Sequence, residues 1–194
     1  MTPPEFWDWF RANELRLWEM ADREDELLDE IQEVLGSYRN GLCLELSDEE
    51  NGTRELVISA AGDEDLFGAV DVLVAHAPRL NRWKFTALKP PRGFDFVLET
   101  RTARLDPKTM VFEPLTNDVD PLALGIRVFL SEGRVGPDTQ ETVTRAVETG
   151  LGERVRSEIQ HIEVAPLQGS PSEHIPLADL PAYMEWFKRK ASSA

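Results

Sequence analysis

The chain has 194 residues, with 36 aspartates and glutamates against 21 lysines and arginines, so its formal net charge is −15. Hydrophobic residues at 41% and charged residues at 29% are ordinary globular proportions, which argues against global disorder and against a fibrous or low-complexity chain. Such an anionic surface repels phosphate backbones and anionic lipid, and Arg92, Arg101, Arg104 and Lys108 are too dispersed to form a basic stripe, so neither nucleic acid nor a membrane is an expected partner.

From Pro4 to Leu35, Phe6, Phe10, Leu17, Met20, Ala21, Leu28, Ile31 and Leu35 recur at helical spacing, with Pro3 and Pro4 suited to a helix start and Gly36 to a stop. The periodicity fits one long helix or two helices broken near Asp22 to Asp25. Eleven acids and three arginines give this stretch a net −8, so residues 1–36 read as an acidic helical segment.

Residues 41–92 read as strand, strand, helix, strand. Gly41 to Ser47 and Glu55 to Ala60 are strand-like runs around Asn51-Gly52, a hairpin signal. Asp63-Glu64-Asp65 place acids at a helix N-terminus, Leu66, Val70, Leu73, Val74 and Ala77 supply the apolar stripe, and Pro78 ends it. Trp83, Phe85 and Ala87 then alternate with Lys84 and Thr86 as in a half-buried strand, before Pro90-Pro91-Arg92-Gly93 turns the chain.

Phe94 to Glu99 and Thr102 to Leu105 are further strand candidates. The order then recurs over residues 110–167: strands at Met110 to Leu115 and Leu122 to Leu130 around an Asn117-Asp118 turn, a helix at Thr139 to Leu151, and a strand at Ile159 to Leu167. Residues 168–176 have linker composition, and 177–190 form a short helix with Leu180, Tyr183, Met184 and Phe187 on one face and cations at its end. The fold class is α+β: one domain over 1–194 with a mixed, mainly antiparallel sheet from two ββαβ-like halves, helices on one face, a long N-terminal helix and a short C-terminal helix.

The opening EFWDWF, the run RELVISAAG from Arg54 to Gly62 and VLVAHAPRLNRWKFTALKPPR from Val72 to Arg92 resemble a family of uncharacterised bacterial proteins. The resemblance covers the first half best. It implies a bacterial, intracellular origin and assigns no activity, cofactor or catalytic residue.

The residues offer little familiar chemistry. Cys43 stands alone between Leu42 and Leu44, which excludes an intramolecular disulfide and reads as a buried structural thiol. His76, His161 and His174 lack metal-ligand spacing, and Gly133-Arg134-Val135-Gly136 reads as a turn and not a phosphate loop. No metal or cofactor is expected. Glu45, Glu55, Asp95 and Glu99 lie on or beside strands, where a converging pair would suit a hydrolase or transferase, yet Glu45 and Glu99 alternate with apolar neighbours as solvent-facing residues do.

Two features point to contact instead. Trp7, Trp9 and Trp18, with Phe6 and Phe10, cannot all face one way on a helix that turns about 100° per residue, so each is either covered by another element or free for a partner. Glu26, Asp29, Glu30 and Glu33 form an acidic face that either solvates the helix or steers a basic partner. The expected function is that of a cytoplasmic, non-catalytic protein-binding module, a regulator or immunity-type factor, whose contact residues are Trp7, Trp9, Trp18, Glu26, Asp29, Glu30 and Glu33. The alternatives are a carboxylate-using hydrolase or transferase and a small-molecule binder.

Overall fold

A computed structural model describes residues 1–19, 24–100, 104–115, 123–131 and 135–191. The chain, read above as one domain, divides into two compact units, Met1–Pro90 and Pro91–Ala194. The boundary falls between two prolines, which lack the N–H needed to continue a ladder, and each unit has its own sheet and its own buried cluster.

In the first unit, helices α1 (Pro3–Trp18) and α2 (Glu24–Tyr38) are separate, which settles the choice between one helix and two. Gly36 lies inside α2 and does not stop it; the last turn is held by Tyr38, whose hydroxyl donates to the Ala69 carbonyl. Strands β1 (Cys43–Leu46) and β2 (Arg54–Ser59) pair antiparallel. Helix α3 (Phe67–Ala75) then leads to β3 (Trp83–Ala87), which lies parallel to β2.

Between β1 and β2, Glu50 and Thr53 exchange backbone hydrogen bonds at 2.9 and 3.0 Å, while Asn51 and Gly52 both have positive φ (52° and 78°). This is the two-residue turn that Asn-Gly favours, because both central positions need the left-handed region. Leu44, Leu46, Leu56, Ile58 and Phe85 share one sheet face, and α1, α2 and α3 all bury their apolar stripes against it. Alternation turns Cys43 to the opposite face, where it is exposed, so it is not the buried thiol expected from its leucine neighbours.

The second unit repeats this order around a longer sheet. A short hairpin, β4 (Leu98–Glu99) and β5 (Arg104–Leu105), precedes β6 (Val111–Leu115) and β7 (Leu124–Leu130), which pair antiparallel. Helix α4 (Pro137–Leu151) and the short α5 (Glu153–Ser157) lead to β8 (Ile159–Pro166), parallel to β7. The stretch read as a linker holds β9 (Ile175–Pro176), which pairs antiparallel with β6, and α6 (Leu180–Ala191) follows. The sheet order is therefore β8-β7-β6-β9, against β1-β2-β3 in the first unit. Both helices α4 and α6 pack on the face that carries Phe112, Ile126, Val128 and Val164. The expected Asn117-Asp118 turn, the start of the Leu122 to Leu130 run and Gly133-Arg134 lie outside the described residues.

In this second sheet the far sides of β6 and β8 are both occupied. β9 lies along β6, and the Gln140 side chain of α4 serves β8, donating to Ile162 O at 2.7 Å and accepting from Val164 N at 3.1 Å. One carboxamide thus makes both bonds that a further strand would make there. Gln140→Leu is expected to cost about 1–2 kcal/mol by leaving both groups unpaired, read by urea denaturation, and to promote self-association through β8 in sedimentation velocity. Unchanged stability and an unchanged sedimentation coefficient would show that the edge needs no guard.

Candidate interaction face

The sequence-derived contact residues all fall in the first unit, and the fold sorts them into two groups. Trp7 belongs to the core: it is 1% exposed, its ring meets Phe6, Phe10 and Phe85 edge-on, and its indole N–H donates to Leu73 O at 2.7 Å. Adjacent aromatics Phe6 and Trp7 are both buried because β3 covers α1 on one side and α3 reaches it from another. Trp7 is thereby removed from any contact surface.

Trp9 and Trp18 are half-buried. Trp18 packs edge-on against Trp83 at 5.9 Å between ring centroids, with the Arg82 guanidinium 4.7 Å and the Arg54 guanidinium 5.7 Å from its own. Arg82 is in turn held by α1: Glu14 accepts from it at 3.4 Å and from the Trp83 indole at 3.1 Å. Trp18 thus closes the lower edge of the core while keeping part of its ring accessible.

Helix α2 carries the acids. Leu27, Ile31 and Leu35 face the core, so Glu26, Asp29 and Glu33 fall on the outer side and are exposed. Glu30 is different: Arg16 of α1 donates to both its oxygens, at 2.8 and 3.4 Å, tying the two helices together. At about 100° per residue, Glu30 occupies the flank of α2 nearest α1 and Gln32 the opposite flank; Asp29 points outward leaning toward Gln32, and Glu33 points outward leaning toward Glu30. Gln32 donates to Leu42 O at 2.7 Å, which places that opposite flank beside the start of β1. Among the described residues no cation pairs with Glu26, Asp29 or Glu33. At the start of α1, Glu5 accepts from Thr2 N at 2.6 Å, and this bond holds its carboxyl below the usual range.

Sequence reasoning missed Leu15, the most exposed large apolar residue of α1 at 61%. Its signal was negative: Leu15 lies off the row formed by Phe6, Phe10 and Leu17. It also missed Trp186 on α6, 45% exposed with the Lys190 ammonium 5.2 Å from its ring centroid, while Tyr183 and Phe187 beside it pack on the second core. Burial pushes the Tyr183 phenol up.

The carboxylates weighed for catalysis are each answered by a cation. Glu45 pairs with Lys89 and Glu55 with Lys84 on the open face of the first sheet, and Glu55 also accepts from the Thr86 hydroxyl. In the second unit Asp95 pairs with Lys108 and Glu99 with Arg104. Glu99 also lines a groove of about 270 Å³ with Asp138 and Glu141 of α4, where Arg145 holds Glu141 at 3.2 Å. On the outer side of that unit's sheet, Arg127 bridges Glu113 at 2.5 Å and Glu163 at 3.1 Å, and these two bonds hold the guanidinium above its usual value.

His76 is exposed, with its Nδ1 donating to Val72 O at 2.8 Å, and His174 rests on Phe129 with ring centroids 4.5 Å apart. Among the described residues no group of three or more His, Cys, Asp or Glu side chains could hold a metal ion, and no helix is long and apolar enough to cross a membrane. No protein-family model, curated protein or solved structure matches the chain. The resemblance to uncharacterised bacterial proteins therefore rests on the quoted segments alone.

Proposed function

We propose that this chain is a non-catalytic protein-binding module of the bacterial cytoplasm, a regulator or immunity-type factor that engages a basic protein through the outer face of α2. The observation that carries the reading is the exposed row Glu26, Asp29 and Glu33, unpaired among the described residues, on a helix where Glu30 by contrast is committed to Arg16. Uncommitted carboxylates on a rigid helix accelerate encounter with a cationic surface and are screened by salt. Leu15 on α1 and the accessible edges of Trp9 and Trp18 supply apolar contact area in the same unit.

The test is association of the native chain and of E26K/D29K/E33K with the protein that the native chain captures from its own cells. The triple variant is expected to bind at least roughly tenfold more slowly at low salt, with a flatter dependence on ionic strength. Equal association rates for the two chains at every salt concentration would overturn the reading. Circular dichroism serves as the control for folding, because none of the three side chains is buried.

A further inference from the structure

The two units build the same strand order but finish it differently. In the second, the outer edge of the first strand, β6, is occupied by the antiparallel segment Ile175–Pro176. In the first, the corresponding edge belongs to β1, and among the described residues no strand lies along it.

The register shows which groups this leaves open. Ser47 N donates to Glu55 O at 2.9 Å, so Cys43 and Glu45, two and four residues earlier, also direct their backbone groups toward β2. The N–H and C=O of Leu44 and Leu46 therefore point away from the sheet, and among the described residues they have no hydrogen-bond partner. Leu42, on the same side, is served by Gln32, which covers the start of the edge and leaves the rest. An open row of alternating donors and acceptors is a template for an added strand.

The free edge of β3 is the competing template, because Phe85 and Ala87 also direct their backbone groups outward, as the Leu88 N to Ile58 O bond fixes by alternation. Charge separates the two. Lys84 and Lys89, on or just after β3, already pair with Glu55 and Glu45, whereas β1 lies beside the α2 flank toward which Asp29 leans and leads into Asp48, Glu49 and Glu50.

We infer that β1 is a strand-addition site whose occupant is an extended, lysine- or arginine-rich segment of a partner protein, pairing antiparallel with Leu44 and Leu46 while its cations face Asp29 of α2 and Asp48, Glu49 and Glu50 of the β1–β2 turn. This rests on the function proposed above and specifies the form of the partner. Backbone bonds give the segment its register, and the carboxylates of Asp29 and of the β1–β2 turn select its charge.

The test uses the full chain and a ten-residue alternating lysine-valine peptide, compared with the same peptide methylated at every backbone nitrogen, which keeps all charges and loses all donors. The native peptide is expected to bind at least tenfold more tightly than the methylated one. It is also expected to slow hydrogen exchange of the Leu44 and Leu46 amides at least tenfold, with no change at Phe85 and Ala87. Equal binding of the two peptides, no binding of either, or protection at Phe85 and Ala87 instead would overturn strand addition at β1. Protection of Leu44 and Leu46 that grows with protein concentration in the absence of peptide would overturn it in favour of a second copy as occupant. The E26K/D29K/E33K variant separates the two proposals: if it weakens both peptides equally and methylation has no effect, the acidic face stands and strand addition falls. If it leaves capture of the cellular partner unchanged, the reading of the acidic face itself falls.

Discussion

Trp7→Ala is expected to lower the stability of the first unit by about 3–5 kcal/mol, the range for truncating a fully buried large aromatic. The ring sits at the junction of α1, α3 and β3, with three aromatic neighbours at 4.5 to 5.6 Å between ring centroids, so a void there has rigid walls on several sides and little can relax into it. Trp7→Phe separates packing from hydrogen bonding. It removes the donor to Leu73 O, but that carbonyl still accepts from His76 N at 3.1 Å, so a loss of only about 1–2 kcal/mol is expected beyond the reduced ring volume. Urea denaturation followed by far-ultraviolet circular dichroism measures both variants. A loss below about 1 kcal/mol for Trp7→Ala would contradict the burial assigned to this side chain.

Gly150→Ala tests the second unit with the opposite intuition. In a helix interior alanine is preferred over glycine by about 1 kcal/mol, and Gly150 lies one residue before the end of α4. A Cβ there, however, would stand 2.3 Å from Cε1 and Cζ of the Phe94 ring. Phe94 is held in place: Arg92 N donates to Thr149 O at 2.9 Å, Gly93 N donates to Gly150 O at 3.1 Å, and Gly93 takes a φ of 70° to make the bend. With the backbone of both partners fixed, the ring has to leave its position in the core. The expected result is a net loss of about 1–3 kcal/mol, the cost of overpacking a well-filled site. A gain in stability would show that the ring rotates away freely.

These two residues also mark where the sequence is legible. The alternation of Trp83, Phe85 and Ala87 locates β3 to the residue, because a strand covered on one face imposes a period of two that neighbouring polar residues confirm. Asn51-Gly52 locates its turn for a similarly local reason, since the conformation it needs is one that few other pairs adopt. The recurrence of strand, strand, helix, strand is likewise visible, as each element carries its own period.

What escapes is decided by contacts distant in the chain. Phe94 lies in a run of strand-forming residues, yet only Leu98–Glu99 pairs, because Phe94 is drawn into the second core by Gly150. Ile175-Pro176 has the composition of a linker and becomes a strand only because β6 offers it an edge. Trp7 has the spacing of an exposed aromatic on one helix and is buried by two other elements. Of the contact residues expected from sequence, the acids were legible because charge keeps them at the surface, whereas the open edge of β1 emerges only from the register of its pairing.

The closure of every strand pairing within its own unit bears on how the chain is made. Residues 43–87 contain all three strands of the first sheet, and α1 and α2 precede them, so every side chain of that core has been synthesised once Pro90 leaves the ribosome. Its sequence separations are short, which favours rapid collapse. The first unit can therefore reach its native packing while the second is still being translated, and the hydrophobic surfaces of the two units need never be exposed at the same moment.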